Sequence, residues 1–378
     1  MLMETLANRN IAFSDEQAMM LDAAKRFVAD KSPTDKVRAL IEEEAGFDSA
    51  VWAECAALGW TGMALEEAYG GSGLGFGALV PVVEQMGRGL MATPLVPTVL
   101  AGAVIQLAGT DAQKTAYLPK IAEGGAATLA LGERDGGWGL ADCTASVTRD
   151  GDTVKLSGAK VLVEHANIAD VIVVSVMLDG GTALVLVEGG ELGDLTRETV
   201  IDETRRVFRF SLDGISVPAD RLLAPANTAD ALRFIELASC MLCAADALGG
   251  ADSCLAVIVE YLNTRKQFGK LIGAYQALKH PAAEILTGIE QGRSLLYHAA
   301  TLFDEDWATP ATEIAVRMAK AAADDVAIFA GDRAIQFHGG FGFTYECDAQ
   351  LYRRRSIWNG AHFGDAAHQK EKLADLLF

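Results

Sequence analysis

Two polar segments in the last third of the chain decide how the whole sequence is interpreted: Arg265-Lys266-Gln267-Phe268-Gly269 and Gln336-Phe337-His338-Gly339-Gly340. An arginine guanidinium and glutamine amides, here Arg265, Gln276 and Gln336, are suited to phosphate oxygens and the edge of a purine. Adjacent glycines let the backbone approach a ligand because no side chain intervenes. The two segments therefore predict contact with a phosphate-bearing nucleotide.

Composition limits the classes of partner. The chain has 378 residues, 51% of them hydrophobic, which is enough for a large core divided among two or three domains. Its net charge of -19 argues against nucleic acid, which needs a basic surface. A small phosphate-bearing ligand is still allowed, because local Arg and Lys decide that contact.

The sequence favours a cytoplasmic protein. It shows no cleavage-like leader and no run near the roughly 20 apolar residues of a membrane span, so no membrane insertion is expected. Six cysteines in a chain of this length are not a disulfide framework. Cys240 and Cys243 form a Cys-x-x-Cys pair inside an apolar helical run without a second ligand pair, so we interpret them as core residues and expect no metal site.

The periodicity of apolar residues changes twice along the chain. Residues 1–125 show helical spacing, residues 126–226 show short β-branched runs broken by turns, and residues 227–378 return to long helical runs. We predict an α+β protein with an N-terminal helical domain, a central antiparallel β-barrel or sandwich and a C-terminal four-helix bundle. Asp150-Gly151-Asp152 is typical of a hairpin turn.

The order of several motifs resembles the acyl-CoA dehydrogenase family of flavoproteins over nearly the whole chain. Besides the two C-terminal segments, the resemblance includes Glu66–Gly75, Leu156–Lys160 and Asp213–Pro218. It implies FAD as cofactor, an acyl-CoA thioester as substrate and electron-transferring flavoprotein as the usual acceptor. It also implies that one set of residues holds the adenine and pyrophosphate of FAD in a neighbouring subunit: Arg265, Phe268, Gln276, Gln336, Gly339 and Gly340.

The family uses a carboxylate to remove the α-proton of the thioester, and this sequence lacks it at both usual positions. The stretch that resembles the common base segment carries Asn359, and an amide cannot accept a proton at neutral pH. The position used by a second branch of the family falls on Ser239. Glu236 and Glu346 are weak alternatives, each more typical of a solvated or structural residue.

The segments that would hold the chain's own flavin also depart from the family pattern. Where relatives have Thr-Glu-Pro followed by Gly-Ser-Asp, this chain reads Gly132–Gly139 with a bulky Trp138. The usual Trp-x-Thr becomes Leu162-Val163-Glu164, and Glu164 would place negative charge near the flavin ring.

The resemblance is to a branch acting on CoA thioesters of steroid side chains, built as heterotetramers in which one subunit type lacks the base. We therefore expect a subunit of this second type, which assembles with a homologous subunit. Three alternatives stay open: a self-sufficient homotetrameric dehydrogenase with an unrecognised base, a non-catalytic scaffold subunit, and another reaction on the same fold, such as flavin-dependent oxygenation, which needs no α-proton base.

Overall fold

The structure of the protein is a computed structural model that describes residues 15–378, so the first 14 residues of the predicted N-terminal domain lie outside it. The first six described helices are α1 (Asp15–Lys31), α2 (Thr34–Glu42), α3 (Ser49–Ala57), α4 (Val80–Arg88), α5 (Leu95–Ala108) and α6 (Asp111–Ala122). Local capping fixes several of their ends. Thr110 and Gln113 form a reciprocal capping box at the start of α6, as a Thr-x-x-Gln sequence favours.

The middle of the chain forms strands β1 (Ala127–Ala130), β2 (Ser146–Asp150), β3 (Thr153–Ser157), β4 (Ala159–Glu164), β5 (Val171–Leu178), β6 (Gly181–Glu188), β7 (Thr196–Glu198), β8 (Val207–Ser211) and β9 (Ser216–Pro218). Six of them form one sheet in the order β1-β5-β2-β3-β9, with β6 also paired to β5, and β4-β8-β7 form a second sheet. The alternating valines and leucines of β3, β5 and β6 face a shared core with Phe208 and Phe210 of β8.

The prediction of an antiparallel barrel or sandwich is not confirmed, and two of the strand pairs are parallel. Strand β1 runs parallel to β5, with Ala127 opposite Val171, and Ser146 at the start of β2 is also a parallel partner of β5. The remaining long pairs are antiparallel, and the predicted turn at Gly151 (φ +61°) joins β2 to β3. The parallel pairs join β5 to strands that precede it by many residues in the sequence. The alternation of apolar and polar residues within one strand does not predict such pairing.

The C-terminal part contains five α-helices in the described chain, so the prediction of a four-helix bundle is not confirmed. They are α7 (Thr228–Thr264), α8 (Gln276–Asp306), α9 (Pro310–His338), α10 (Ala349–Ala361) and α11 (Ala366–Leu377), and a two-stranded hairpin of β10 (Lys266–Gln267) and β11 (Lys270–Leu271) joins the first two. Helix α9 packs against α8, α10 and α11. Phe363 and Gly364, both with positive φ, separate α10 from α11 and account for the extra helix.

The described chain forms two compact units, each made of separate stretches of sequence. One contains the described residues up to Ala39, Phe76–Met91 and Ser239–Phe378, and the other contains Leu40–Gly75 and Ala92–Ala238. The division at residues 125 and 226 stays a prediction. Within residues 15–378, one helical segment, Pro225–Thr264, is long and apolar enough to cross a membrane by composition. Because 67% of its most apolar window is buried, this is weak evidence for a membrane span.

Candidate cofactor site

The segment around Arg265 forms an exposed hairpin at the end of α7. Phe268 and Gly269 form its two-residue turn with φ of +52° and +78°, and the backbone carbonyl of Arg265 accepts from Ile272 N at 2.9 Å. Consecutive left-handed residues are what a tight hairpin turn of this kind requires. Phe268 is consequently held away from the core, with 92% of its surface exposed.

A ring stack connects the base of this hairpin to the glycine segment at the end of α9. The ring centroids of Tyr261 and His338 lie 4.2 Å apart, and the two ring planes are inclined by 29°. His338 Nδ1 is 2.7 Å from the carbonyl of Ala334, which only accepts, so Nδ1 carries the proton. Tyr261 lies one turn before Arg265, and His338 directly precedes Gly339. The stack therefore holds the end of α7 close to the glycine segment.

The glycine segment presents open backbone. Gly339 has φ of +61°, and a Cβ placed on Gly339 or Gly340 would meet no atom within 4 Å. The glutamines of the predicted set are exposed as well, Gln276 as the first residue of α8 and Gln336 in the last turn of α9. All six predicted nucleotide-binding residues are thus exposed in one compact unit, and their two segments are brought together.

Asn359, at the predicted base position, is buried and its side chain is engaged. Its amide Nδ2 donates to Asp246 Oδ2 at 2.5 Å, and its backbone carbonyl accepts from Lys320 Nζ at 2.8 Å. Arg355 donates to both oxygens of Asp246, at 2.9 and 3.3 Å. Asn359 therefore connects the ion pair of Asp246 and Arg355 to that of Lys320 and Asp324, which are both buried.

This buried network is the part of the site that sequence reasoning missed. Asp246, Lys320 and Asn359 come from α7, α9 and α10, and nothing local in the sequence connects them. Burial raises the pKa of Asp324 against the attraction of Lys320. The one sequence signal was the presence of several charges within apolar helical runs, since such charges are buried in proteins when they are paired.

The other predicted base candidates lie in contrasting environments. Ser239 is buried, and its hydroxyl has no hydrogen-bond partner among the described residues. The adjacent Cys240 is also buried, with its sulfur 3.6 Å from the amide nitrogen of Gln369. Glu236 is partly buried on α7, whereas Glu346 is exposed in the loop before α10. The structure does not bring Glu346 into the network around Asn359.

Glu133 anchors the loop where the family pattern is lost. It accepts from Lys160 Nζ at 2.7 Å and from the backbone nitrogens of Thr144 and Ala145. Burial alone would raise the pKa of Glu133, but these hydrogen bonds outweigh it and lower the pKa to about 2. Lys160 is fully buried and also donates to Ser175 Oγ at 2.9 Å. Trp138, within the same loop, is 41% exposed.

The segment Leu162-Val163-Glu164 forms contacts of its own. The backbone nitrogen of Leu162, which has φ of +54°, donates to Glu198 Oε2 at 2.8 Å. Glu164 pairs with Arg205 at 3.4 Å, and both side chains are 13% exposed. Arg205, which also lies 3.7 Å from Asp202, therefore partly offsets the negative charge of Glu164, and the expected effect of Glu164 on a flavin ring stays a prediction.

Family models identify the chain. The model described as the N-terminal domain of acyl-CoA dehydrogenase matches residues 14–125, and the model of the C-terminal domain matches residues 238–375. The chain belongs to the acyl-CoA dehydrogenase family.

Individual relatives agree with this assignment. FadE12 of Mycobacterium tuberculosis, an acyl-CoA dehydrogenase, is 35% identical over 79% of this chain and 80% of its own length. A solved variant of the Tcur3481-Tcur3483 steroid ACAD is 30% identical with a TM-score of 0.84, covering 100% of this chain and 98% of that one. Butyryl-CoA dehydrogenase of Megasphaera elsdenii is 26% identical with a TM-score of 0.87, covering 98% and 100%.

The exposed residues fit one end of the family's flavin cofactor. Arg265, two amides and the bare backbone at Gly339 and Gly340 offer a positive charge, hydrogen-bond donors and open space for a nucleotide. The segments at Gly132 and Leu162 fit the flavin end less well. A Cβ at Gly132 would lie 2.9 Å from the carbonyl of Val161, so this position cannot carry a hydroxyl-bearing side chain without a shift of the backbone. The backbone nitrogen of Leu162 already donates to Glu198.

Proposed function

We propose that this acyl-CoA dehydrogenase family member is a subunit of a heteromeric enzyme that dehydrogenates an acyl-CoA thioester between its α and β carbons. In this proposal it contributes the nucleotide-binding face for FAD and no base. FAD, when bound, would accept the hydride from the β-carbon. The homologous partner subunit would supply the carboxylate that removes the α-proton.

The observation that carries the proposal is the hydrogen bond from Asn359 to Asp246. The amide donates its proton to a carboxylate at 2.5 Å and is buried, so it has neither the basicity nor the freedom to take a proton from a substrate. Ser239 supports the same conclusion, because its buried hydroxyl has no hydrogen-bond partner among the described residues and therefore no bonded base that could activate it.

In this proposal, the residues of this chain would bind the nucleotide part of the cofactor. Arg265 would offer positive charge to the pyrophosphate, and the amides of Gln276 and Gln336 would bond polar edges. The backbone at Gly339 and Gly340 would allow close approach. The steroid ACAD relative carries a two-component name, which supports a heteromeric assembly and a steroid-derived thioester here. Cytoplasmic location, a tetramer and electron-transferring flavoprotein as acceptor complete the proposal.

The test is purification of the chain alone and after co-expression with a homologous neighbour, followed by flavin-to-chain stoichiometry and acyl-CoA turnover with an artificial acceptor. We expect turnover and bound flavin in the complex, with less than one flavin per chain, and no turnover from this chain alone. One flavin per chain and ordinary turnover in the isolated protein, lost in Glu236→Gln or Glu346→Gln, would instead establish the self-sufficient homotetramer. If the chain serves only as a scaffold, replacing Arg265 should leave the flavin content of the complex unchanged.

A further inference from the structure

The segment that begins with the glycine pair, residues 339–348, joins α9 to α10. Its backbone is held by short-range hydrogen bonds. The nitrogens of Gly342, Thr344 and Cys347 each donate to the carbonyl three residues earlier, at 3.0 to 3.2 Å. Single turns of this kind are weak by themselves, because folding exchanges each bond for one with water. The segment therefore needs a contact from elsewhere in the chain to keep one conformation.

Gly339 and Gly340 make the conformation of this segment sensitive to both of its flanks. Glycine has the widest choice of backbone conformations, and a Cβ at either position would meet no atom within 4 Å, so packing does not restrict them. On the α9 side, the ring of His338 stacks on Tyr261 with 4.2 Å between centroids. The other flank, residues 343–348, must also be held if the glycine backbone is to present one shape to a ligand.

Arg38 of α2 contacts that flank from more than 300 positions away in the sequence. Its guanidinium Nη1 donates to the backbone carbonyl of Tyr345, and Nη2 donates to Asp348 Oδ1 at 2.7 Å. The planar fork of an arginine holds two acceptors in a fixed geometry, whereas a lysine ammonium is a point charge with rotating donors. Arg38 therefore fixes the position of Tyr345 relative to the first turn of α10.

Asp348 shows that this contact takes the place of an ordinary helix cap. It is the N-cap residue of α10, a position that favours aspartate because the side chain can accept from the first turn of the helix. Here the side chain makes no capping bond and accepts from Arg38 instead. The position is thus used to hold the segment to α2, which the local sequence does not predict.

The charge of Arg38 suits its surroundings. Glu346 and Asp348 lie on either side of the segment's buried Cys347. The pKa of Glu346 is lowered by its own backbone N–H, by the hydroxyl of Thr344 and by the positive charge of Arg38. The side chain of Arg38 is 27% exposed, so solvent screens its charge only in part. One guanidinium therefore offsets two acids of the same segment.

We propose that Arg38 is a positioning residue for FAD binding: by holding Tyr345 and Asp348 to α2, it keeps the glycine segment in the conformation that the nucleotide requires. The inference rests on the proposed function, because it takes the backbone of Gly339 and Gly340 as part of the nucleotide-binding face. Arg38 acts through the segment and not by touching the cofactor. Part of the control of cofactor retention then lies in the N-terminal helices, outside the six residues that the family resemblance indicates.

The affinity of the assembled enzyme for FAD tests the proposal. Arg38→Gln should weaken FAD binding about fivefold, on the scale of one lost hydrogen bond. Arg38→Lys, which keeps the charge but not the fork, should fall between Arg38→Gln and the parent. The matched control Arg26→Gln removes an exposed arginine of α1 and should bind FAD as the parent does. Equal FAD affinity in Arg38→Gln and the parent, even with a lower denaturant midpoint, overturns the proposal, and so does an equal loss in Arg26→Gln.

Amide hydrogen exchange on the full-length chain without cofactor measures the contact itself. Arg38→Gln and Asp348→Ala should each raise the exchange rates of the Gly342, Thr344 and Cys347 amides at least about threefold. The double variant should raise them no further, because both single changes remove the same contact. Unchanged exchange in Arg38→Gln overturns the proposal. If the parent complex binds no flavin, the proposed function fails and the role of Arg38 with it, whereas a flavin-loaded parent matched by Arg38→Gln overturns the inference about Arg38 alone.

Discussion

The side-chain amide of Asn359 donates to Asp246 Oδ2 across 2.5 Å inside the C-terminal helices. Because Arg355 donates to the same carboxylate and Lys320 donates to the backbone of Asn359, the position is part of the folded core. A glutamate placed there would face Asp246 and could not act as an exposed base.

Replacing Asn359 by Asp or Glu should therefore destabilise the fold without creating activity. Either change removes a donor and places two carboxylates together in a buried site, with an expected loss of about 3–5 kcal/mol at pH 7. Unfolding by denaturant measures the loss, and acyl-CoA turnover of the isolated chain should stay at background. Gln291→Glu, which adds one acid on the exposed face of α8, is the matched control and should be nearly neutral. A stable, active Asn359→Glu protein would disprove our interpretation of this position.

Arg265 offers a direct test of the nucleotide face. Its side chain is exposed at the end of α7, so Arg265→Ala should leave the unfolding free energy almost unchanged. Loss of a charged contact to pyrophosphate should lower FAD retention by the assembled enzyme roughly tenfold or more. Flavin absorbance per chain after gel filtration measures this. The exposed Arg149→Ala is the control with the same change in charge, and equal flavin loss in both variants would refute a specific role for Arg265.

The pair of Glu133 and Lys160 should make stability depend on acid pH. The pKa of Glu133 is lowered to about 2 from 4.5, so its contribution is fully present above pH 4.5 and is lost as the pH falls through 2. The shift corresponds to about 3 kcal/mol at pH 7. Glu133→Gln should therefore unfold more easily than the parent at pH 7, and the difference should shrink by pH 3.

Asp150→Asn provides the comparison for Glu133→Gln. Asp150 pairs with Lys155 at 2.6 Å, but both side chains are about 60% exposed, so solvent screens the pair. Unfolding free energies at pH 7 should hardly differ between Asp150→Asn and the parent. If Glu133→Gln changes the unfolding free energy at pH 7 as little as Asp150→Asn does, the buried pair of Glu133 and Lys160 stabilises the fold no more than an exposed pair.

Local sequence was sufficient for most elements but not for their long-range pairing. The runs at Thr153, Val171, Ala183 and Val207 all form strands, because alternation and β-branching describe a half-buried strand directly. Strand β1 was missed, and so was its parallel pairing with β5, since that pairing depends on residues over 40 positions apart. The exposed hairpin and glycine segment were located because turns and open backbone require particular residue types.

The buried parts of the site were harder to predict for the same reason. The packing of α7, α9 and α10 decides that Asn359 meets Asp246 and that Gln350 has no hydrogen-bond partner among residues 15–378. Residue type alone gave only the absence of a carboxylate at position 359. The absence of a base is visible in the sequence, whereas the structural role of Asn359 depends on contacts between helices that are distant in the sequence.

His165 predicts a second pH effect, in a milder range than Glu133. Its ring is buried and packs edge-on against Phe47 at 5.9 Å, and its Nδ1 has no hydrogen-bond partner among residues 15–378. Burial lowers the pKa of His165 to about 4, in spite of the opposing charge of Glu164. The neutral ring is therefore favoured in the folded state, and stability present above pH 6.5 is lost as the pH falls towards 4.

His165→Asn isolates this titration, because asparagine tolerates the positive φ of +53° at this position. Between pH 7 and pH 5 the parent should lose about 2 kcal/mol more unfolding free energy than His165→Asn does. Denaturant unfolding at the two pH values measures the slope, and His280→Asn, at an exposed site on α8, should keep the slope of the parent. The parent and His165→Asn could instead show the same dependence of unfolding free energy on pH. That result would mean that the His165 ring reaches water or a proton acceptor as the pH falls, so that burial does not control its charge.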